Sequence, residues 1–383
     1  MKILWLCRWF GNYRIPVYAE LNRLTGGNFY MAYSEHSVSA LVHRQMKETL
    51  GENAVPLRSE KHFVIGNPDS NFANKHLDIA WQPDLLSTIS RINPDVIISD
   101  GFYQWTYAGI LKSFGRKLCI FYERTAYVER NAPKWRRLYR KIMGRFADGF
   151  IINGSLTREY LSTLGFEGKP MAEGCMVADS ERLSNDVSSV KHSAIDELRR
   201  ELNINDNGLV YLYIGQLVER KGIKELLEEW TIHIQNYPAD SLVVAGQGVL
   251  EKDLKENFGS LTGVKFVGQI PYDRIYLYYA MSDVVVMPTL EDNWSLVVPE
   301  AMSCGKPVMT TIYNGCHVEL INQGGNGYRY DPKAKGEGAI ILGKFHTASL
   351  LEMGKMSKEM IKDYTPKIAA KKIYNLCQNL TKK

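Results

Sequence analysis

Long apolar runs are missing from this 383-residue chain. No stretch approaches the roughly 18 uninterrupted apolar residues that cross a bilayer as a helix, so no membrane span is expected. Met1-Lys2 leads into only Ile3-Leu4-Trp5-Leu6-Cys7 before Arg8, too short for the apolar core of a secretory leader. Cysteine is sparse and scattered: Cys7, Cys119, Cys175, Cys304, Cys316 and Cys377, with no CxxC pair. In a leaderless chain these read as reduced, buried thiols rather than a disulfide framework. The eight histidines form no HxxxH or HExxH spacing, so no dedicated metal site is expected. There is no low-complexity tract and no short-period repeat.

What remains is the balance of a soluble globular protein, 45% hydrophobic and 23% charged. The length suits two domains of about 150–200 residues. Net charge is +5, and its distribution is uneven: residues 1–185 hold 24 Lys+Arg against 18 Asp+Glu, so the first half carries the whole basic excess. Such a bias favours an anionic partner there, whether phosphate, a membrane surface or nucleic acid. No recognised nucleic-acid motif accompanies it, and nucleic acid is not expected as a partner.

Apolar runs bounded by turn residues predict strands at Lys2–Cys7, Phe29–Tyr33, 94–101, Lys117–Tyr122 and Gly149–Asn153. The second half repeats the rhythm at Leu209–Gly215, Ser241–Ala245, Val264–Gly268, Val284–Pro288 and Pro307–Thr311, with helical segments between. This βαβ alternation predicts an α/β protein: two Rossmann-like, doubly wound domains with parallel sheets, facing a cleft. The boundary is placed in the polar stretch Asp186–His192. The domains are then 1–185 and 193–364, with a C-terminal helix, 365–383, joining the first.

Ligands of such sheets bind beyond the carboxyl ends of the strands, so the loops there are where chemistry is expected. The most informative is Pro288-Thr-Leu-Glu-Asp-Asn-Trp-Ser-Leu-Val-Val-Pro-Glu-Ala-Met-Ser-Cys-Gly-Lys-Pro-Val308. A strand ends, an acidic loop follows, and Ser295 is placed to cap a helix running to Gly305. Free N–H groups at a helix start suit phosphate. Asp292 lies in the loop and Glu300, eight residues on, lies on the helix, where a carboxylate can hold ribose hydroxyls. In Tyr213-Ile-Gly-Gln-Leu-Val-Glu-Arg-Lys-Gly-Ile223, Lys221 stands where a strand hands over to a helix, within reach of a pyrophosphate. Gly246-Gln247-Gly248 follows another strand and is weak evidence alone.

The first of these segments resembles the signature of family 4 retaining glycosyltransferases of the two-Rossmann-domain (GT-B) type. Their two acids stand eight apart, the second followed by Ala-Met-x-Cys-Gly-x-Pro-Val, and Glu300 to Val308 fits. The first acid, usually Glu, is Asp292 here, with Glu291 beside it. The resemblance implies that Asp292 touches the donor sugar, that Glu300 binds the ribose, and that Asn293, Trp294, Ser295 and Leu296 complete the donor loop. It implies a phosphate grip at Gly215, Lys221 and Arg220, with Gln216 where the family has arginine. It also implies a base-reading loop at Val267, Gly268 and Ile270, with Gly246 on the same side. The resemblance extends less tightly to the first half. There Glu123 and Arg124 stand where many relatives carry a catalytic histidine, and Arg14, Asp100 and Gly101 line the acceptor side. Catalysis would rest on Glu123, Lys221 and Asp292, with no metal and no cofactor beyond the nucleotide-sugar donor.

One further feature is physical. In 134–146, Trp135, Leu138, Tyr139, Ile142, Met143 and Phe146 recur at helical spacing among six cations: Lys134, Arg136, Arg137, Arg140, Lys141 and Arg145. The expectation is an apolar stripe in the core and a basic face outward, suited to electrostatic, peripheral contact with anionic lipid.

The reading is a cytoplasmic glycosyltransferase, peripheral on the inner face of the membrane, that moves sugar to a glycan or lipid-linked acceptor with retention, in bacterial-type surface polysaccharide or glycoconjugate synthesis. Two alternatives use the same features: a nucleotide-sugar epimerase, and a non-catalytic sugar-nucleotide-binding subunit, motivated by Gln216 and the absent histidine.

Overall fold

The computed structural model describes residues 1–66, 72, 76–178, 180–271 and 273–382. Its contacts divide the chain into two units, Met1–Ala178 with Tyr364–Lys383, and Asp179–Asp363. The polar stretch 186–192, expected at the boundary, is the end of helix Glu181–Ser188 and the start of helix His192–Glu201, both within the second unit.

Among the described residues, nine strands belong to the first unit: β1 (Ile3–Leu6), β2 (Phe29–Ser34), β3 (Ala54–Leu57), β4 (Lys61–Gly66), β5 (His76–Trp81), β6 (Val96–Asp100), β7 (Lys117–Tyr122), β8 (Gly149–Ile152) and β9 (Met171–Ala172). All but β4 and β5 form a parallel sheet in the order β3-β2-β1-β6-β7-β8-β9. β4 and β5 pair antiparallel as a separate hairpin. β1 is apolar throughout, and β6 and β7 over Val96–Ile98 and Leu118–Phe121, because helices cover both faces of a parallel sheet. The chain's last helix, Pro366–Thr381, starts at a Thr365 side-chain cap and packs on helix Ile15–Leu24.

The second unit has β10 (Val210–Ile214), β11 (Ser241–Ala245), β12 (Val264–Gly268), β13 (Val284–Met287), β14 (Val308–Thr311) and β15 (Gly327–Tyr330), parallel in the order β12-β11-β10-β13-β14-β15. Tyr211, Leu212, Val243, Val244, Val285 and Val286 are fully buried. Trp230 packs edge-on against Tyr211 and donates its indole N–H to the Thr262 carbonyl at 3.0 Å.

In each sheet the strand order reverses once, between β1 and β6 and between β10 and β13. At such a reversal the loops leaving the two central strands diverge, which opens room at their carboxyl ends. Every residue named from the sequence for the first unit's site follows β1, β6 or β7. Those of the second unit follow β10, β11, β12 or β13.

Candidate functional site

In the second unit the two loops at the reversal are knitted together. Gly222 has φ +67, and a Cβ on it would lie 2.0 Å from the Pro288 carbonyl oxygen. Only glycine lets the turn after β10 rest on the end of β13. The Arg220 carbonyl then accepts from Leu290 N at 2.9 Å, Glu291 N at 3.2 Å and the Thr289 hydroxyl at 2.9 Å. With the backbones joined, Lys221 Nζ sits 2.5 Å from Asp292 Oδ2, and Arg220 lies 4.0 Å from the same oxygen. Burial pushes the Asp292 carboxyl up, but Lys221 and then Arg220 outweigh it and hold it below its usual range. Asp292 Oδ1 accepts from Trp294 N at 3.1 Å, which fixes the carboxylate between cation and backbone.

The rest of the loop after β13 is held by further hydrogen bonds. Gly315 N donates to the Asp292 carbonyl at 2.9 Å, and Ser295 N donates to Asn314 Oδ1 at 3.2 Å. Trp294 and Ser295 are buried, while Asn293 and Leu296 are half-buried. The expected Ser295 cap is not what starts the helix. It runs Val297–Ser303 with Leu296 at its N-cap position and no side-chain capping bond, while the Ser295 amide donates to Asn314. Gly305, at φ +70, follows its end as read from the sequence.

Glu300 lies on the first turn of that helix and accepts from the Tyr279 hydroxyl at 3.1 Å. Burial raises its carboxyl to about 7, against a modest lowering by Tyr279. Tyr279 and Asn314 are the partners that sequence reasoning did not assign. Tyr279 lies on another helix, Ile275–Met281, and nothing in its local sequence points to Glu300.

Beside these groups the strand ends are stripped of side chains. Gly215, Gly246 and Gly268 close β10, β11 and β12. Gly215 N donates to Ala245 O at 3.0 Å, and Gly246 N donates to Gly268 O at 2.8 Å. A Cβ on Gly246 would stand 1.8 Å from the Gly215 carbonyl oxygen. The result is a bare edge that a flat or charged ligand can approach closely, flanked by half-buried Val267 and Ile270. Gln216 is exposed, and its backbone carbonyl accepts from the Tyr213 hydroxyl at 2.8 Å.

The first unit has a parallel arrangement at its own reversal. Arg14 donates to Asp100 Oδ2 at 2.9 Å, lies 3.4 Å from Glu123 Oε2, and stacks over the Phe121 ring at 4.4 Å. Asp100 also accepts from the Trp5 indole and from the Cys7 thiol, both at 2.7 Å. Gly101 turns the chain at φ +66. Arg14, Asp100, Gly101, Glu123 and Arg124 all line one pocket of about 350 Å³ with Arg8, Trp9 and Tyr13. Arg124 is tied through Glu129 Oε1 at 3.0 Å, and Glu129 pairs with Arg140 at 2.7 Å. In each unit, then, a cation from the loop after the first strand meets an aspartate at the end of the strand across the reversal.

Helix Lys134–Arg145 departs from its expectation. Arg136 and Arg140 are buried, and both line the pocket, whereas Trp135, Leu138, Ile142 and Phe146 are exposed. The cause is Glu129: a buried carboxylate demands a cation, and Arg140 turns inward to supply it. Histidines that look scattered in the sequence also meet: His233 and His346 lie 2.8 and 2.7 Å from Asp240 Oδ2, while Asp240 Oδ1 accepts from Leu209 N. This cluster joins the start of β11 to neighbouring segments, at the opposite end of the sheet from Lys221 and Asp292.

Two doubly wound units with parallel sheets and chemistry at the strand ends define the GT-B class of fold. In line with this, the whole chain superposes on the Anabaena protein HepE, crystallised in complex with UDP, with a TM-score of 0.75 at 18% identity, covering 99% of this chain and 100% of that one. Residues 194–362 match the family model for glycosyl transferases group 1, so the second unit carries a domain of that group. Among curated relatives, an uncharacterized glycosyltransferase of Methanocaldococcus jannaschii is 31% identical over 35% of this chain and 35% of its own length. The alpha-monoglucosyldiacylglycerol synthase of Streptococcus pneumoniae is 28% identical over 42% of this chain and 37% of its own. The chain thus spans a little over a third of the length of these relatives.

Proposed function

We propose that this protein is a metal-independent, retaining glycosyltransferase of family 4, moving a hexose from a nucleotide-sugar to a saccharide or lipid-linked acceptor. The observation that carries the reading is the Lys221–Asp292 pair at the sheet reversal, beside a glycine edge and with Glu300 eight residues beyond. Lys221, helped by Arg220, neutralises the departing diphosphate, whose charge grows as the glycosidic bond breaks. Asp292, held ionised, accepts from sugar hydroxyls, and Glu300 accepts from the ribose. The nucleobase lies against Val267–Ile270, where backbone groups read its edge. On the acceptor side, Glu123 is the carboxylate assigned to the incoming hydroxyl, with Arg14, Asp100, Gly101 and Arg124 shaping the pocket. The setting is cytoplasmic, in assembly of a surface polysaccharide or glycoconjugate. Among the described residues no helix is long and apolar enough to cross a membrane.

A thermal-shift series with UDP-, GDP- and ADP-sugars tests the donor, followed by product analysis with and without added acceptors. One nucleotide family is expected to stabilise the protein, and its sugar to appear on an acceptor with the anomeric configuration kept. If no nucleotide-sugar shifts the melting temperature, the reading fails.

A further inference from the structure

Helix Lys134–Arg145 presents an outer surface that the glycosyl-transfer reading does not use. Trp135, Leu138, Ile142 and Phe146 are 52%, 59%, 46% and 53% exposed. At 3.6 residues per turn these four side chains fall within a sector about 80° wide. Lys134, Arg137 and Arg145 are exposed and Lys141 is half-exposed. These cations fill an adjoining sector of about 80°. The core-facing side holds Arg136, Arg140 and Gly144. The stripe is therefore not surplus core: the inward face is already committed to Glu129 and the pocket. No acidic residue occurs between Arg130 and Ala147.

Single exposed apolar residues are ordinary, but four on one helix face, edged by cations and by no acid, are not. Lysine and arginine stems can reach lipid headgroups while the neighbouring apolar side chains enter the acyl boundary. A water-facing helix gains nothing from exposing Leu138 and Ile142, and a neutral protein partner would make no use of four clustered cations.

We propose that helix Lys134–Arg145 is an interfacial membrane anchor that inserts Trp135, Leu138, Ile142 and Phe146 into an anionic bilayer, with Lys134, Arg137, Lys141 and Arg145 on the headgroups. Contact is by insertion backed by charge, not by charge alone. Arg136 and Arg140 of the same helix line the first unit's pocket. The anchor therefore brings that pocket to the lipid surface, which suits a lipid-linked acceptor.

The test is flotation of the full chain with vesicles of phosphatidylcholine alone, or of phosphatidylcholine and phosphatidylglycerol in equal parts. The wild type floats with the anionic vesicles, and part of it stays bound in 1 M salt, where the Debye length is about 3 Å. The double variant Leu138→Ser, Ile142→Ser binds at least about tenfold more weakly. Because both positions face water, its thermal melting stays that of the wild type. Trp135→Phe still floats but loses the lipid-dependent blue shift of tryptophan emission. Complete release of the wild type by 1 M salt overturns insertion. So does double-variant binding equal to wild type. A wild-type dimer that ignores vesicles and becomes monomeric in the double variant assigns the stripe to self-association instead. None of these readouts needs donor or turnover, so failure here leaves the glycosyl-transfer reading standing.

Discussion

Lys221 and Glu300 occupy opposite electrostatic situations, and this separates their predicted behaviour. Lys221 is a cation on a carboxylate at the turn after β10. Lys221→Ala should lower turnover by about 10²–10³, as loss of a preorganised charge stabiliser does, and should also lower the melting temperature at neutral pH, because buried Asp292 loses the nearer of its two cations. Near-normal turnover would remove it from the site. Glu300 is a buried carboxyl whose protonation sits at about 7. Below the ordinary glutamate range it is protonated in both folded and unfolded chains and contributes nothing to pH dependence. As pH rises from the ordinary glutamate range to about 7 the unfolded chain has given up the proton while the folded chain still holds it, so the destabilisation grows across that window and is constant above it. Glu300→Gln should therefore raise the melting temperature at pH 8 relative to wild type and leave it nearly unchanged at pH 4. The same variant should cost about 1.5–3 kcal/mol of nucleoside diphosphate affinity, measured calorimetrically, because a charged acceptor is lost. Asp292 has the reverse sign. Its stabilising pairing with Lys221 is present above the ordinary aspartate range and is lost as pH falls through its lowered value.

At the scale of elements, helix Lys134–Arg145 shows how periodicity alone assigns a face only in part: Tyr139 and Met143 pack on the core as expected, while Trp135, Leu138, Ile142 and Phe146 do not. Its apolar spacing was readable, and the inward direction was inferred from it. The direction is set instead by Glu129, whose carboxylate is buried with Arg140, each side chain 1% exposed. Removing one member of such a pair leaves an uncompensated buried charge. Arg140→Ala should cost about 3–5 kcal/mol in urea unfolding. Arg137→Ala, on the exposed side, should change stability by less than about 0.5 kcal/mol. Equal effects would mean that Arg140 is not the structural arginine. The parallel strands were legible for a simple reason. β10, β11 and β13 are buried on both faces and read as continuous apolar runs. β15, with the sequence Gly-Tyr-Arg-Tyr, is an edge strand without that signal, and β3, the β4–β5 hairpin and β9 went unread for similar reasons. Ser295 was placed as a cap because its residue type suits one, yet the helix begins one residue later, with Leu296 at the cap position and no side-chain cap.

For the molecule as a whole, activity should survive EDTA, since the departing charge is assigned to Lys221 and Arg220. A strict divalent requirement, restored by one added ion, would argue for a different sugar-transfer chemistry. A nucleoside diphosphate at 100 times its dissociation constant should stabilise the chain by about 2.7 kcal/mol, and Lys221→Ala should shrink that gain.

Sequence by itself determined the doubly wound class, through apolar runs alternating with helical segments, and the candidate donor residues, because Asp292 and Glu300 sit on one loop-and-helix segment and Lys221 on one turn. Those are local patterns, carried by chain spacing. Tertiary structure alone decided which groups meet. Gly222 against Pro288 brings Lys221 onto Asp292, Tyr279 reaches Glu300, and Arg14 joins Asp100 to Glu123. It also decided that a basic helix turns Arg136 and Arg140 inward and Trp135 outward. The physical reason is that pairing and burial depend on what stands across the fold. A buried carboxylate such as Glu129 exerts its demand through space, on a residue whose position in the sequence gives no sign of it.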